Sequence, residues 1–136
     1  MGVIALDTSA AVPLLLQNHS SHERLQRWSR GKNLALCAHS LAETYSVLTR
    51  LPGDSRFTEA DAVRVIDGAF ESVLSLPEAA SREVHRRLAS AGIKGGAVYD
   101  GLIALTVLEN EASLASLDKR AYTNYFALGV TLELIP

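Results

Sequence analysis

The sequence predicts an α/β fold in three layers, with helices on both faces of a central, mainly parallel sheet of about five strands. The first observation behind this prediction is a short apolar run, Val3–Leu6, that ends in a carboxylate and two hydroxyls, Asp7, Thr8 and Ser9. Such a run, without polar alternation, suits a strand that is covered on both faces. The second observation is the repeated order of strand and helix along the chain, which is typical of a parallel sheet.

Turn and cap signals set the expected elements of the first half. Ser9 is expected to cap a helix at 10–17, and a second helix is expected to end at Gly31. A strand at 33–38 and helices at 41–50 and 58–70 follow, the last of them opened by a capping-box pattern at Thr58.

The second half continues the same alternation. Its predicted elements are a strand at 72–76, helices at 78–91 and 97–111, a strand at 113–117, a helix at 121–128 and a strand at 130–135. The helix at 97–111 is apolar on nearly every side in its second half, which predicts that it is buried.

The composition is that of an ordinary globular chain. Its 136 residues are 48% hydrophobic and 21% charged, which predicts a single domain over 1–136. A formal net charge of −2 excludes a protein that binds nucleic acid through overall positive charge. No apolar run has the length of a membrane helix, and no signal peptide is evident. The single cysteine, Cys37, is expected to be a small buried hydrophobe. Because one cysteine cannot form an intramolecular disulfide, the chain fits a reducing compartment, and we expect a cytoplasmic protein without a membrane partner.

Four carboxylates are candidates for the chemistry. Asp7 and Asp118 each follow a predicted strand directly, and Glu43 and Asp100 are expected in the first turns of helices at the same sheet edge. Each has a structural alternative, since Glu43 has capping-box spacing from Ser40 and the helix dipole favours acids in a first turn. Carboxylates that gather in one cleft need a compensating cation, and oxygen ligands favour Mg²⁺ or Mn²⁺ over zinc. The scattered histidines are expected to be solvated surface residues.

Four segments that contain these acids resemble the motifs of PIN-domain ribonucleases, and specifically of VapC-type toxins from bacterial toxin–antitoxin pairs. The segments, in the family's order, are LDTSA at 6–10, SLAE at 40–43 with YSVL at 45–48, VYDGLIA at 98–104 and SLD at 116–118. The family usually has Thr where this chain has Ser116, and serine keeps the hydroxyl. No single segment is specific, but the ordered set is.

The resemblance implies a single PIN domain that acts as a Mg²⁺-dependent endoribonuclease, with Mn²⁺ as the other candidate ion. It also implies that the chain is the toxin of a type II toxin–antitoxin system. Such a toxin would inhibit translation by hydrolysing RNA phosphodiester bonds. The metal ligands would be Asp7, Glu43, Asp100 and Asp118, and the hydroxyls that orient them would be Thr8, Ser9 and Ser116. The implied partners are RNA, a second copy in a homodimer, and a VapB-type antitoxin in a heterotetramer or larger complex.

Basic residues near these segments are the candidates for holding RNA, namely Arg50, Lys94, Lys119 and Arg120. A further cluster, Arg82, Arg86 and Arg87, is open to two interpretations. It is either an RNA track or an ordinary solvated helix face with an ion pair between Glu83 and Arg87.

Two other functions are compatible with parts of the pattern. A PIN-like scaffold that only binds partners would lack one of the four acids, and all four are present. A haloacid-dehalogenase-like phosphatase also has an aspartate after its first strand, but it needs a second aspartate two residues later, where this chain has Ser9.

Overall fold

A five-stranded sheet lies at the centre of the computed structural model, which describes residues 2–136. Every neighbouring pair of strands is parallel, and the order is β3-β2-β1-β4-β5. The strands are β1 (Val3–Leu6), β2 (Asn33–Cys37), β3 (Ser72–Leu74), β4 (Ser113–Ala115) and β5 (Leu132–Glu133). Because β1 is the middle strand, the residues that follow it lie at the centre of the carboxyl edge.

Within residues 2–136, eight helices connect and cover the strands. They are α1 (Thr8–Leu15), α2 (His22–Ser29), α3 (Ala38–Thr49), α4 (Glu59–Ala69), α5 (Glu78–Arg82), α6 (Val84–Ser90), α7 (Val98–Glu109) and α8 (Tyr122–Ala127). Short 3₁₀ turns at Gly53–Ser55, Gly95–Ala97 and Lys119–Ala121 precede α4, α7 and α8.

Alternation along the strands divides the core between the two faces of the sheet. In β1, Ile4 and Leu6 pack in a cluster with α1 to α4, whereas Ala5 packs in a cluster with α7 and α8. The same alternation separates Leu36 from Cys37 in β2, and Ala115 from Leu114 in β4. Since successive side chains of a strand point to opposite faces, the fold has three layers, as predicted.

Two helices begin earlier than the sequence predicts. The cap of α1 is Asp7, not Ser9, and its Oδ1 accepts a hydrogen bond from the Ala10 amide at 3.3 Å. The α3 helix begins at Ala38, directly after β2, with no side-chain cap bond. Glu43 is therefore in the second turn, and the capping-box interpretation of this residue is wrong. At α4, by contrast, Thr58 accepts the predicted bond from the Asp61 amide at 3.1 Å.

The predicted helix at 78–91 is two helices, because the chain leaves the helical conformation at Glu83, with φ −104° and ψ 1°. No Gly or Pro at this break marks it in the sequence. The second of these helices, α6, packs against α7 so closely at Gly101 that an added Cβ would overlap the Leu88 side chain. Cys37 is buried as expected, and burial raises the pKa of its thiol to about 12.

In the part of the chain that the structure describes, no single helix is long and apolar enough to cross a membrane. Two adjacent segments, Val84–Ser90 and Gly95–Glu109, reach the length and composition together, but the chain bends by 120° between them.

Candidate active site

Asp7 is the buried centre of the site, with only 4% of its surface exposed. One carboxylate oxygen, Oδ1, accepts hydrogen bonds from the Ser9 hydroxyl at 2.6 Å and from the Ala10 amide. The other, Oδ2, accepts a bond from the Tyr125 hydroxyl at 2.7 Å. The side chain is therefore fixed by donors from both the helix that follows it and α8.

A chain of hydroxyls links Asp7 to the segment after β4. Since Ser9 donates its one hydroxyl proton to Asp7, its oxygen is left to accept from the Leu117 amide at 2.9 Å and from Ser116 Oγ at 3.2 Å. Ser116 Oγ in turn accepts from the Asp118 amide at 3.0 Å. The structure thus places Ser9 and Ser116 in contact with the acids, as the resemblance implies. Thr8 is different, because its buried Oγ1 has no hydrogen-bond partner within residues 2–136.

Burial raises the pKa of Asp7 above its usual range, and the donors around it oppose this shift without cancelling it. Removing a carboxylate from water disfavours its charged form, whereas hydrogen bonds to that form favour it. Tyr125 remains a proton donor here, because its own burial and the neighbouring negative charges raise the pKa of its hydroxyl. The centre of the site therefore holds a carboxylate whose charge is incompletely compensated.

Asp100 lies in the first turn of α7, as predicted, and it is half-buried. Its Oδ2 accepts a hydrogen bond from Asn124 Nδ2 at 3.2 Å. Burial raises the pKa of Asp100, and the negative charges of Asp118 and Glu43 raise it further against the opposing bond from Asn124. These interactions show that the acids of α3, α7 and the segment after β4 share one electrostatic environment.

Asp118 and Glu43 form the accessible rim, with side chains that are 39% and 45% exposed. Asp118 does not follow β4 directly, because β4 ends at Ala115, the residue paired with Leu6. The position beside Asp7 therefore belongs to Ser116, and the predicted equivalence of Asp7 and Asp118 is wrong. Asp118 instead caps the following 3₁₀ turn, accepting from the Arg120 amide at 3.0 Å.

The donor set fits a hard divalent cation in its chemistry. All four side chains offer carboxylate oxygens, and within residues 2–136 no lysine or arginine nitrogen lies within 4.0 Å of the carboxylates of Asp7, Glu43 or Asp100. Among the same residues, no three His, Cys, Asp or Glu side chains are already close enough together to hold a metal. The four acids therefore match a hard cation in ligand type but do not form a closed coordination shell in this structure.

The sequence as a whole matches known proteins over most of its length. Residues 4–127 match the PIN domain family. The chain is also 46% identical, over 127 residues and 93% of each sequence, to Ribonuclease VapC27 of Mycobacterium tuberculosis. The chain belongs to the PIN-domain family of VapC ribonucleases. PIN-domain ribonucleases depend in general on divalent metal ions. Because the chain belongs to this family, it is not a haloacid-dehalogenase-like phosphatase.

Solved structures share the fold of this PIN domain. The VapC20 toxin of M. tuberculosis, which cleaves the sarcin-ricin loop, superposes with a TM-score of 0.70 at 18% identity, over 98% of this chain and 99% of that one. VapBC2 of Rickettsia felis, bound to a DNA fragment from its promoter, gives a TM-score of 0.66 at 17% identity, over 96% of this chain and 97% of that one. The predicted PIN-like α/β/α fold is therefore confirmed.

The basic candidates for RNA binding lie at different distances from the acids of the PIN domain. Lys119 and Arg120 directly follow Asp118 and are exposed, and Arg120 Nε is 3.8 Å from the Asp118 carboxylate. Lys94 is exposed in the loop that leads to α7. Arg50 ends α3 at the opposite end from the sheet edge, about 10 Å along the axis from Glu43.

The arginine cluster is an ion-paired helix face. Each member contacts an acid, in the pairs Arg82 with Glu78, Arg86 with Glu83, and Arg87 with Glu109. The predicted partner of Arg87 was Glu83, but the break between α5 and α6 brings Arg86 to Glu83 instead.

Three residues at the site of this PIN domain were missed by the sequence reasoning. Tyr125 and Asn124 donate hydrogen bonds to Asp7 and Asp100 from α8, and nothing in their local sequence indicates this. His39 is not a freely solvated histidine, because its Nε2 is 3.7 Å from Glu43 and its ring stacks on Tyr99. Its spacing of four residues from Glu43, one helical turn, is a signal that could have found it.

Proposed function

We propose that this PIN domain is a Mg²⁺-dependent endoribonuclease and the toxin of a type II toxin–antitoxin system. The observation that carries the proposal is the group of four acids in which Asp7 and Asp100 have no lysine or arginine partner within residues 2–136. A protein that keeps buried, mutually repelling carboxylates without counter-charges loses stability unless a cation compensates them. Mn²⁺ has the same ligand preference and is the alternative ion.

The four acids have different parts in this proposal. Asp7 and Asp100 are the ligands already fixed in place, because Tyr125 and Asn124 hold one oxygen of each. Glu43 and Asp118 would complete the ligand set from the exposed rim. A cation held by these four acids would supply Lewis-acid activation of water and neutralise charge on the scissile phosphate.

The hydroxyl residues keep this arrangement in register. Ser9 and Ser116 join Asp7 to the backbone of the segment that carries Asp118, so a shift of one acid is transmitted to the other. Outer partners of this kind orient metal ligands and often affect activity strongly. Thr8 is predicted in the same role. Its buried Oγ1 has no hydrogen-bond partner within residues 2–136, so it is available to bond a metal ligand.

Positive charge at the rim would hold the RNA backbone. Lys119 and Arg120 are the best placed of the basic candidates, and Lys94 lies on the approach to α7. Arg50 would contact only a longer RNA that extends along α3. These contacts would carry no sequence information, since phosphate contacts position a nucleic acid without reading its bases.

The relatives indicate the biological setting. VapC27 is a ribonuclease, VapC20 is a toxin that cleaves the sarcin-ricin loop, and VapBC2 is a complex on promoter DNA. By analogy, we propose that this chain acts as a single domain in the cytoplasm, inhibits translation by cutting RNA, and forms a homodimer. A VapB-type antitoxin would neutralise it in a heterotetramer or larger complex.

The test is a map of 5′ ends produced from total RNA by the purified chain in Mg²⁺, in Mn²⁺ and in chelator. We expect discrete cuts that need a divalent ion and that disappear in Asp100→Asn. Glu78→Gln is the matched control, because it neutralises an acid that is 80% exposed on α5 and should cut like the wild type. Cuts that persist in chelator, or that are equal in both variants, would contradict the proposal.

A further inference from the structure

An aromatic pair borders the candidate active site. The ring of Tyr99, in α7, stacks on the imidazole of His39, in α3, with centroids 5.4 Å apart and planes inclined by 11°. Tyr99 directly precedes Asp100, and His39 lies one helical turn before Glu43. The pair therefore joins the two helices that carry two of the four acids.

Tyr99 is unusually accessible for a large aromatic residue, with 56% of its surface exposed. It belongs to none of the apolar clusters of the described chain, and its hydroxyl has no hydrogen-bond partner within residues 2–136. The imidazole stacks on one face of the ring, and more than half of the residue's surface is open to solvent. Tyr99 thus leaves an aromatic side chain accessible beside the acids.

His39 supports this ring and is not itself well held. Its Nε2 is 3.7 Å from the Glu43 carboxylate, which is longer than a hydrogen bond, and it has no other polar partner in the described chain. The stack with Tyr99 is therefore a contact that helps to orient the imidazole.

We propose that the pair is a platform on which one unpaired base of the RNA stacks, with Tyr99 in contact with the base and His39 as a positioning residue behind it. This inference rests on the proposed endoribonuclease function, because the platform lies beside that site. Stacking on an aromatic side chain is a common way to bind single-stranded RNA, since every base has a flat π face. It also needs no positive charge, which suits a chain of net charge −2 whose arginine cluster is already ion-paired.

The binding test uses short single-stranded RNAs of random sequence that carry one 2-aminopurine, with Ca²⁺ in place of Mg²⁺. Fluorescence of 2-aminopurine is quenched when the base stacks. We expect quenching by the wild type, by Tyr99→Phe and by Tyr99→Trp. Tyr99→Ala should bind roughly tenfold more weakly, the scale of one base–aromatic stack, and should not quench.

Phe126→Ala is the matched control, because it removes another exposed ring, 63% accessible, from α8. It should bind and quench like the wild type. The platform is refuted if Tyr99→Ala and the wild type give the same affinity and the same quenching, which includes the case that neither binds. It is also refuted if Tyr99→Phe loses binding and quenching as Tyr99→Ala does. Melting curves should show that all these surface variants remain folded.

Cleavage kinetics separate this inference from the proposed function. Tyr99→Ala should raise KM roughly tenfold with little change in kcat, and it should flatten the base preference at one position beside the cut. His39→Ala should have a smaller effect of the same kind, and His39→Phe should restore stacking. Quenching without cleavage by any form would refute the endoribonuclease and leave the platform, whereas cleavage with an unchanged KM in Tyr99→Ala would refute only the platform.

Discussion

Asp100→Asn should stabilise the metal-free protein and remove its response to Mg²⁺. Burial and the charges of Asp118 and Glu43 raise the pKa of Asp100, so its ionised form destabilises the fold at neutral pH. Asparagine carries no charge, and its carbonyl oxygen can still accept the bond that Asn124 donates at 3.2 Å. The substitution therefore removes repulsion without removing the contact.

The expected size of the metal response follows from linkage. A ligand at a hundred times its Kd stabilises the native state by about 2.7 kcal/mol. Unfolding entropy of about 2.1 cal/mol/K per residue gives about 0.29 kcal/mol/K for the 136 residues. The wild type should therefore melt about 9 °C higher in saturating Mg²⁺ than in chelator. Asp100→Asn should lose most of this increase.

The pH dependence of the metal-free proteins provides a second measurement. Since the folded pKa of Asp100 is raised above its unfolded value, native protein binds this proton more readily than unfolded protein does. The cost of the charge is present above the folded pKa and is lost as the pH falls through it toward the unfolded value. The difference in stability between Asp100→Asn and the wild type should therefore be largest at neutral pH and should vanish in acid.

The assay is a set of melting curves in chelator and in Mg²⁺ at neutral and acidic pH, with Glu78→Gln as the control. A metal-free Asp100→Asn that melts below the wild type would show that the carboxylate is a structural partner. A full Mg²⁺ response in this variant would show that Asp100 is not a metal ligand.

Four further substitutions test other features of the structure. Gly101→Ala should lower the free energy of unfolding by about 1–3 kcal/mol through overpacking against α6. Gly68→Ala, in α4, should raise it by about 0.5–1 kcal/mol, because the added Cβ would meet nothing within 4 Å. Equal denaturant midpoints for the two variants would contradict this. Glu43→Gln should melt like the wild type yet cut no RNA, and wild-type turnover would remove it from the site. Tyr125→Phe should lower the free energy of unfolding by about 1–3 kcal/mol, because it removes a hydrogen-bond donor from Asp7. It should also raise the pKa of the Asp7 carboxyl further, so the pH–rate profile of the variant should move to higher pH. An unmoved profile would count against an essential ionised Asp7.

The sheet could be predicted because each strand is marked locally by a short apolar run between turn signals. The exact ends of helices could not, because they depend on competition between neighbouring caps. Asp7 and Ser9 are both good cap residues, and the chain begins α1 at the earlier one because β1 ends there. Similarly, Ser40 looks like a cap, but β2 passes into α3 without a loop and Ser40 becomes a buried helix residue.

The acids of the candidate site could be predicted as a set from their order along the chain, but the groups that hold them could not. Tyr125 lies 118 residues from Asp7, and only the folding of α8 onto the sheet edge brings them together. Asn124 reaches Asp100 in the same way. By contrast, Ser9 and Ser116 could be named because they lie within the segments at 6–10 and 116–118 that resemble the family's motifs.

The position of Asp7 constrains how this gene can lose its activity. The same side chain ends the central strand, caps α1 and receives the buried hydroxyl of Tyr125, so most replacements would also disturb the fold. Glu43 and Asp118 lie at the accessible rim, where Asp118 caps one short 3₁₀ turn through a single bond and Glu43 caps no helix. We therefore expect that descendants which lose cleavage but keep the fold substitute the rim acids first, and that Asp7 persists in them.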